Sequence, residues 1–146
     1  VLYVVTGPPA SGKSSWVQAN AGPTDIVIDL DRLALALAGP GAPSWDHHPI
    51  LLKVAHRARF AAIDEAVTHR GEVDVYLIHT LPGANAMARY KRWDARIVTI
   101  DPGRDVVMER VRAMRTPGMV AVASRWYRDR AKAGIPAGAR QASRSW

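Results

Sequence analysis

A chain of 146 residues, 48% hydrophobic and 23% charged, has the size and composition of one globular domain with its own core. No apolar run approaches the ~18 residues of a bilayer span, and no basic segment precedes the opening VLYVV as a signal peptide requires. Cysteine is absent, which excludes disulfides, thiolate metal sites and cysteine nucleophiles, so a cytoplasmic protein is expected.

Val1 to Thr6 is a continuous apolar, β-branched run, as a strand buried on both faces of a parallel sheet requires. A glycine-rich loop follows, and KSSWVQANA (13–21) reads as a helix closing at AGP. DIVIDL (25–30) reads as a second strand and RLALALAG (32–39) as a short helix. GPGAPSWDHHP (39–49) is a Pro/Gly-rich loop long enough to carry function. Over 50–70, Leu51, Val54, Ala55, Ala58, Ala62, Ala66 and Val67 recur at helical spacing, and Gly71 ends that helix. DVYLIHT (74–80) is a third strand, NAMARYKRW (85–93) a helix and ARIVTID (95–101) a fourth strand. RDVVMERVRAMR (104–115) forms a helix that TPG breaks, MVAVASRWYRDRAKAG (119–134) a last one, and IPAGARQASRSW a poorly ordered tail. Strands alternating with helices predict an α/β fold, with four to five parallel strands and helices on both faces. The domain is expected to span 1–132, leaving 133–146 as a basic C-terminal tail.

The segment GPPASGKSS fits G-x-x-x-x-G-K-[ST] through Gly7, Gly12, Lys13 and Ser14. It follows a buried-strand pattern and opens a helix, which is the context a phosphate-binding loop requires. Gly7, Pro8, Pro9, Ala10, Ser11, Gly12, Lys13, Ser14 and Ser15 are therefore expected to bind a nucleoside triphosphate. Backbone N–H groups must curl around an anion, which needs glycine where a Cβ would block approach or φ must be positive. The helix N-terminus then faces the phosphate, Lys13 reaches the β- and γ-phosphates, and the Ser14 hydroxyl takes a place on Mg²⁺.

Translocating ATPases pair such a loop with a strand ending in Asp-Glu, whereas the third strand here ends VYLIHT, with His79 in that place. The well-placed carboxylates are Asp29 and Asp31 in VIDLDR. In an open α/β sheet chemistry lies outside the carboxyl ends of strands, so both are expected in the crevice of the phosphate loop. Asp31 there is a candidate general base for an attacking hydroxyl; it is also a candidate N-cap for the helix that follows.

The net charge of +7 falls entirely beyond residue 103. Residues 1–103 carry ten Lys/Arg and ten Asp/Glu, while 104–146 carry ten Lys/Arg against Asp105, Glu109 and Asp129. A basic face implies polyanionic partners, and arginine's planar fork suits phosphate. Arg110, Arg112 and Arg115, on a helix followed by Thr-Pro-Gly, read as a lid over about 110–120 that neutralises the transferred group and excludes water. Solvated helix arginines are the alternative.

GPPASGKSSW, a strand ending IDLDR, an apolar strand ending in Thr80, and ERVRAMRTPGMVAVASRWY in that order resemble the kinase domain of phage polynucleotide kinases over roughly residues 1–130. The resemblance implies a P-loop NTPase fold and transfer of the γ-phosphate of ATP to a 5′-hydroxyl of a nucleic acid. It places the base on Asp31, a substrate-phosphate arginine on Arg32 and the lid arginine on Arg115. Related phage P-loop kinases act on hydroxymethylated pyrimidines within DNA, and such a protein would work in the cytoplasm of a bacterial host. The family's strand-three aspartate is His79 here, and Arg32 follows Asp31 directly.

In the 39–49 loop Trp45 is a candidate for stacking on a base or for simple packing. His47 and His48 with Asp46 read as a metal group or as lining of the acceptor cleft. Thr80 and Asn85 are placed to touch acceptor or metal water, and Asp29 is grouped with the substrate-binding residues. Trp126 and Tyr127 read as core before base platform, and Arg140 and Arg144 as nonspecific attraction for a polyanion. The expectation is an ATP- and Mg²⁺-dependent kinase acting on a nucleic-acid hydroxyl, DNA ahead of RNA. The alternatives are a kinase for a nucleoside, sugar or antibiotic, and a non-catalytic NTP-binding module, for which His79 is the best argument.

Overall fold

The run Leu2–Thr6 forms strand β1, and its almost unbroken apolar character follows from its place in the sheet. The computed structural model, which describes residues 1–44, 46–114 and 118–138, is α/β, with a four-stranded parallel sheet in the order β2-β3-β1-β4. Strand β2 is Ile26–Ile28, β3 is Val75–Ile78 and β4 is Arg96–Thr99. Six helices complete the described residues: α1 Lys13–Asn20, α2 Leu30–Leu37, α3 Pro49–Thr68, α4 Ala84–Arg92, α5 Arg104–Ala113 and α6 Met119–Asp129. β1 is paired on both edges, Leu2 with Val75 and Val5 with Ile78 on one side, Tyr3 with Arg96 and Thr6 with Thr99 on the other. None of these helices is long and apolar enough to cross a membrane.

Alternation along the strands divides the core into two layers. Leu2, Val4, Ile28, Val75 and Leu77 face Ile63, Ala66 and Val67 of α3 and Tyr90 of α4. Val5, Tyr76 and Ile78 face Val17 of α1, where Tyr3 stacks on Tyr76 at 4.9 Å and Trp16 meets both rings. Burying one such aliphatic side chain stabilises by about 1.5–3 kcal/mol, which is why the central strand tolerates no polar residue before Thr6. Helices α5 and α6 pack together through Val107, Met108, Val111 and Ala123.

The sequence pattern overruns the strands and shifts one helix. The second strand stops at Ile28 because Asp29 already caps α2: its Oδ1 accepts from the Asp31 N–H at 3.3 Å. The cap is thus Asp29, and Asp31 lies in the helix's first turn. Among the described residues there is no fifth strand. Past α6, Ile135 is buried and Gly138 sits so close to Thr99 that an added Cβ would stand 2.7 Å from its carbonyl oxygen. Packing therefore continues through 135–138, beyond the expected start of a loose tail; Arg140 and Arg144 lie outside the described residues.

Candidate functional site

β1 and β3 are neighbours whose following helices leave to opposite faces, α1 to one and α4 to the other. Such a reversal opens a crevice beyond the carboxyl ends of the strands. A cavity of about 610 Å³ lies there, lined by the 9–15 loop segment, by Asp29 and Asp31 after β2, and by Ile78 to Leu81 after β3.

The loop is held by contacts that need its particular residues. Gly7 has φ +151°, and a Cβ on it would stand 2.2 Å from the Ile100 carbonyl oxygen and 2.8 Å from Ser11 Oγ. Only glycine lets β1 turn away that close to the end of β4. Ala10 adopts φ +58°, a left-handed conformation that costs a residue with a Cβ about 1–3 kcal/mol and tends to cluster at functional sites. Gly12, also at positive φ, is the N-cap of α1 and supplies no side chain to its first N–H groups. Those donors carry the positive end of the helix dipole toward the cavity.

Lys13 is buried and turned back on the loop, its Nζ donating to the carbonyls of Gly7 at 2.9 Å and Pro8 at 2.7 Å. Burial pushes its pKa down to about 8, against the pull of Asp29 and Asp31. Ser11 Oγ is buried without a hydrogen-bond partner among the described residues. The Ser14 and Ser15 residues, by contrast, are exposed at the head of α1.

The two carboxylates differ in surroundings. Burial first, and then the neighbouring Asp31, push the Asp29 pKa up; the Asp31 N–H, Arg32 and Lys13 oppose this. Asp31 stands open to the cavity, with Oδ1 2.9 Å from His47 Nε2. The His47 side chain is 3% exposed, and its Nδ1 is buried with no partner among the described residues. His48 plays a structural part, since its Nδ1 accepts from the Ile50 N–H at 3.1 Å and caps α3. No group of three or more His, Asp or Glu that could hold a metal occurs among the described residues, so the metal alternative for Asp46, His47 and His48 finds no support.

Of the expected residues, Pro9 to Ser15, Asp29, Asp31 and Thr80 line one cavity, with Gly7 and Pro8 buried beneath. Arg32, Asn85 and Arg112 are exposed and do not line it. Arg110 grips the loop, donating from Nη1 to the Ala10 carbonyl at 3.1 Å. Trp45 and Arg115 lie outside the described residues. Trp126 is fully buried and donates from Nε1 to the Thr80 carbonyl at 2.7 Å, a core role that also anchors α6 to the end of β3. Tyr127 donates to Asp101 Oδ1 at 2.7 Å.

Among the basic side chains that line the cavity, three had no site role read from the sequence. His56 and Arg59 come from α3 and Arg125 from α6. Arg59 was nonetheless visible by spacing: it falls between Ala55 and Ile63, four residues from each, on the face that α3 buries. His79 is paired through Nδ1 with the Tyr90 hydroxyl at 2.7 Å. Burial, and then the nearby Arg59 guanidinium, lower its pKa to about 4, so it is neutral at neutral pH.

A scan of protein-family models finds no match to this chain, and a search of curated proteins finds none either.

Proposed function

We propose that the chain is a P-loop kinase that transfers the γ-phosphate of ATP to a nucleic-acid hydroxyl, a 5′ end or a hydroxymethylated pyrimidine in DNA. The observation that carries this reading is the shared cavity: the glycine loop with Lys13 and the carboxylates Asp29 and Asp31 open onto one space. A nucleotide anion and an acid–base group are thereby brought to the same crevice, which a binding module has no need to do.

In this reading the N–H groups of the loop and of the first turn of α1 hold the β- and γ-phosphates, and Lys13 exchanges its loop carbonyls for phosphate oxygens. Asp31 Oδ2 accepts the proton of the acceptor hydroxyl as its oxygen forms the new bond to phosphorus and the bond to the ADP oxygen breaks. Asp29, half-buried, shapes the turn that presents Asp31. Arg110 fixes the loop from behind, and the charge-neutralising lid role rests with Arg115 and with Arg125, which lines the cavity.

The donor set fits Mg²⁺. The Ser14 hydroxyl and the Asp29 and Asp31 carboxylates line the same cavity, and this ion prefers one or two protein oxygens with substrate phosphates to a full protein cage. When bound it supplies charge neutralisation on the β- and γ-oxygens. The polyanionic acceptor is favoured by the basic stretch after residue 103 and by the resemblance to phage polynucleotide kinases. A small-molecule acceptor is the second reading, favoured by Met119, Val122 and Trp126 of α6, which give the cavity an apolar wall.

Transfer of labelled γ-phosphate from ATP with Mg²⁺ tests this on 5′-hydroxyl DNA, 5′-hydroxyl RNA, end-blocked hydroxymethylpyrimidine DNA and mixed nucleosides. Label on a polynucleotide is expected. Label confined to nucleosides selects the second reading, and no transfer to any acceptor overturns the kinase assignment.

A further inference from the structure

Arg59 is a cation in an unusual position. It sits mid-way along α3 on the buried stripe, is 7% exposed, and still lines the cavity. A guanidinium carries five N–H donors. The hydrogen bond it makes to backbone is long, Nη2 to the Ile78 carbonyl at 3.5 Å, and the Tyr90 hydroxyl lies beside it. Among the described residues no Asp or Glu comes within ion-pair distance of it. Burying an arginine without a carboxylate is strongly unfavourable unless an anion meets it or its donors are otherwise satisfied.

The surroundings do not supply that anion. His79 and Tyr90 are bound to each other at 2.7 Å, His56 lies one turn earlier on α3, and Arg125 faces the cavity from α6. Arg59 also enters from the side away from the phosphate loop's own helix, because α3 and α1 cover opposite faces of the sheet. Helix α2, which carries Asp31, packs on α3. Arg59, with no carboxylate partner among the described residues, and the proposed base line the same cavity.

We propose that Arg59 is the centre of a second anion subsite, which takes a phosphate or carboxylate group carried by the acceptor alcohol itself. The acceptor's identity rests on the kinase reading; the anion subsite rests on the burial of Arg59 in the cavity wall and on the absence of a carboxylate partner for it among the described residues. Its planar fork meets two oxyanion oxygens together, with Arg125 adding charge. An alcohol bearing an oxyanion is selected, and a neutral alcohol leaves Arg59 buried and uncompensated.

Calorimetric titration tests this with thymidine 3′-monophosphate, gluconate and thymidine, the loop being filled with a non-hydrolysable ATP analogue and Mg²⁺. At least one anionic probe should bind more tightly than thymidine, and Arg59→Met should weaken it by about 10- to 100-fold, with Arg57→Met, at an exposed arginine of the same helix outside the cavity, leaving it within about threefold. Binding of the nucleotide alone identifies a phosphate, and binding of both identifies a general oxyanion site. Equal affinity for thymidine and its monophosphate, no binding of either anion, or an equal loss on Arg57→Met and Arg59→Met overturns the proposal. Arg59→Lys keeps the charge and loses the fork, so a smaller but measurable loss is expected; it decides the matter if Arg59→Met fails to fold in a thermal melt. The titrations are repeated without the ATP analogue. Failure of that analogue to bind sinks the kinase reading alone, because the two variants still locate the anion.

Discussion

His47 Nε2 lies 2.9 Å from Asp31 Oδ1, joining a side chain that is 3% exposed to one that is 65% exposed. The proposed base is thus held by a residue of the Pro/Gly-rich loop, sixteen positions along the chain. The His47 Nε2–H, donating to Oδ1, orients the carboxylate and leaves Oδ2 for an acceptor proton.

Asp31→Asn should lower phosphoryl transfer by about 100- to 10,000-fold with ATP affinity within about twofold of wild type, read by initial rates and nucleotide titration. His47→Ala should lower kcat by up to about tenfold, and in the Asp31→Asn background should cost nothing further. Additive losses in that double variant would show that His47 acts elsewhere. Because Asp29 is the cap of α2, Asp31→Asn should leave the melting temperature nearly unchanged.

Gly7→Ala should destabilise the fold by about 1–3 kcal/mol in urea unfolding. The added Cβ meets the Ile100 carbonyl and Ser11 Oγ, and the backbone is already at positive φ. An unchanged midpoint would mean that the β1 turn relaxes freely.

Trp126→Phe keeps most of the ring and removes the N–H that the Thr80 carbonyl accepts. A loss of about 1–2 kcal/mol in urea unfolding is expected. Thr80 also accepts a longer bond from the Gly7 N–H at 3.4 Å, so the same variant should raise hydrogen exchange at Gly7.

His79 has its pKa lowered to about 4 by burial and the Arg59 guanidinium. Between pH 6.5 and 4 the unfolded chain takes up this proton and the folded chain does not. Stability is lost as pH falls through that window, by on the order of 3 kcal/mol. His79→Gln should flatten the difference between denaturation curves taken at the two ends of the window and at neutral pH, relative to wild type.

Lys13 shows the same linkage at the alkaline end. Its folded pKa of about 8 lies below the ordinary lysine value of 10.5, so the folded state loses its proton first, and stability rises as pH climbs between those two values. Lys13→Met removes that rise. Denaturation at several pH values should show the stability of Lys13→Met relative to wild type falling steadily across this window.

The layering of this chain could be read from apolar runs alone, since β1 and β3 are buried on both faces and carry almost nothing polar. The glycine loop was legible because Gly7, Gly12 and Lys13 must recur at fixed spacing for backbone reasons. What sequence spacing could not convey was contact between distant segments. Nothing local says that His47 reaches Asp31, or that Trp126 reaches Thr80. Arg59 was obscured for a different reason: an arginine in a helix reads as solvated, and only its phase relative to Ala55 and Ile63 places it inside. The exposed arginines Arg32 and Arg112 show the converse: a family resemblance suggests the first and a place on the lid helix the second, yet both stand outside the cavity.

The register that pairs Leu2 with Val75 and Thr6 with Thr99 also sets an order of assembly. The strand that bears the glycine loop has no partner in its own neighbourhood of the chain, and both edges must wait for segments synthesised much later. At ribosomal speeds of about 5–20 residues per second, β1 spends several seconds as an unpaired apolar ribbon. Its closure is a long-range event of the slow kind that high contact order predicts. The loop is therefore shaped last, when β4 arrives to set Ile100 against Gly7, and nucleotide affinity should emerge in the final phase of refolding.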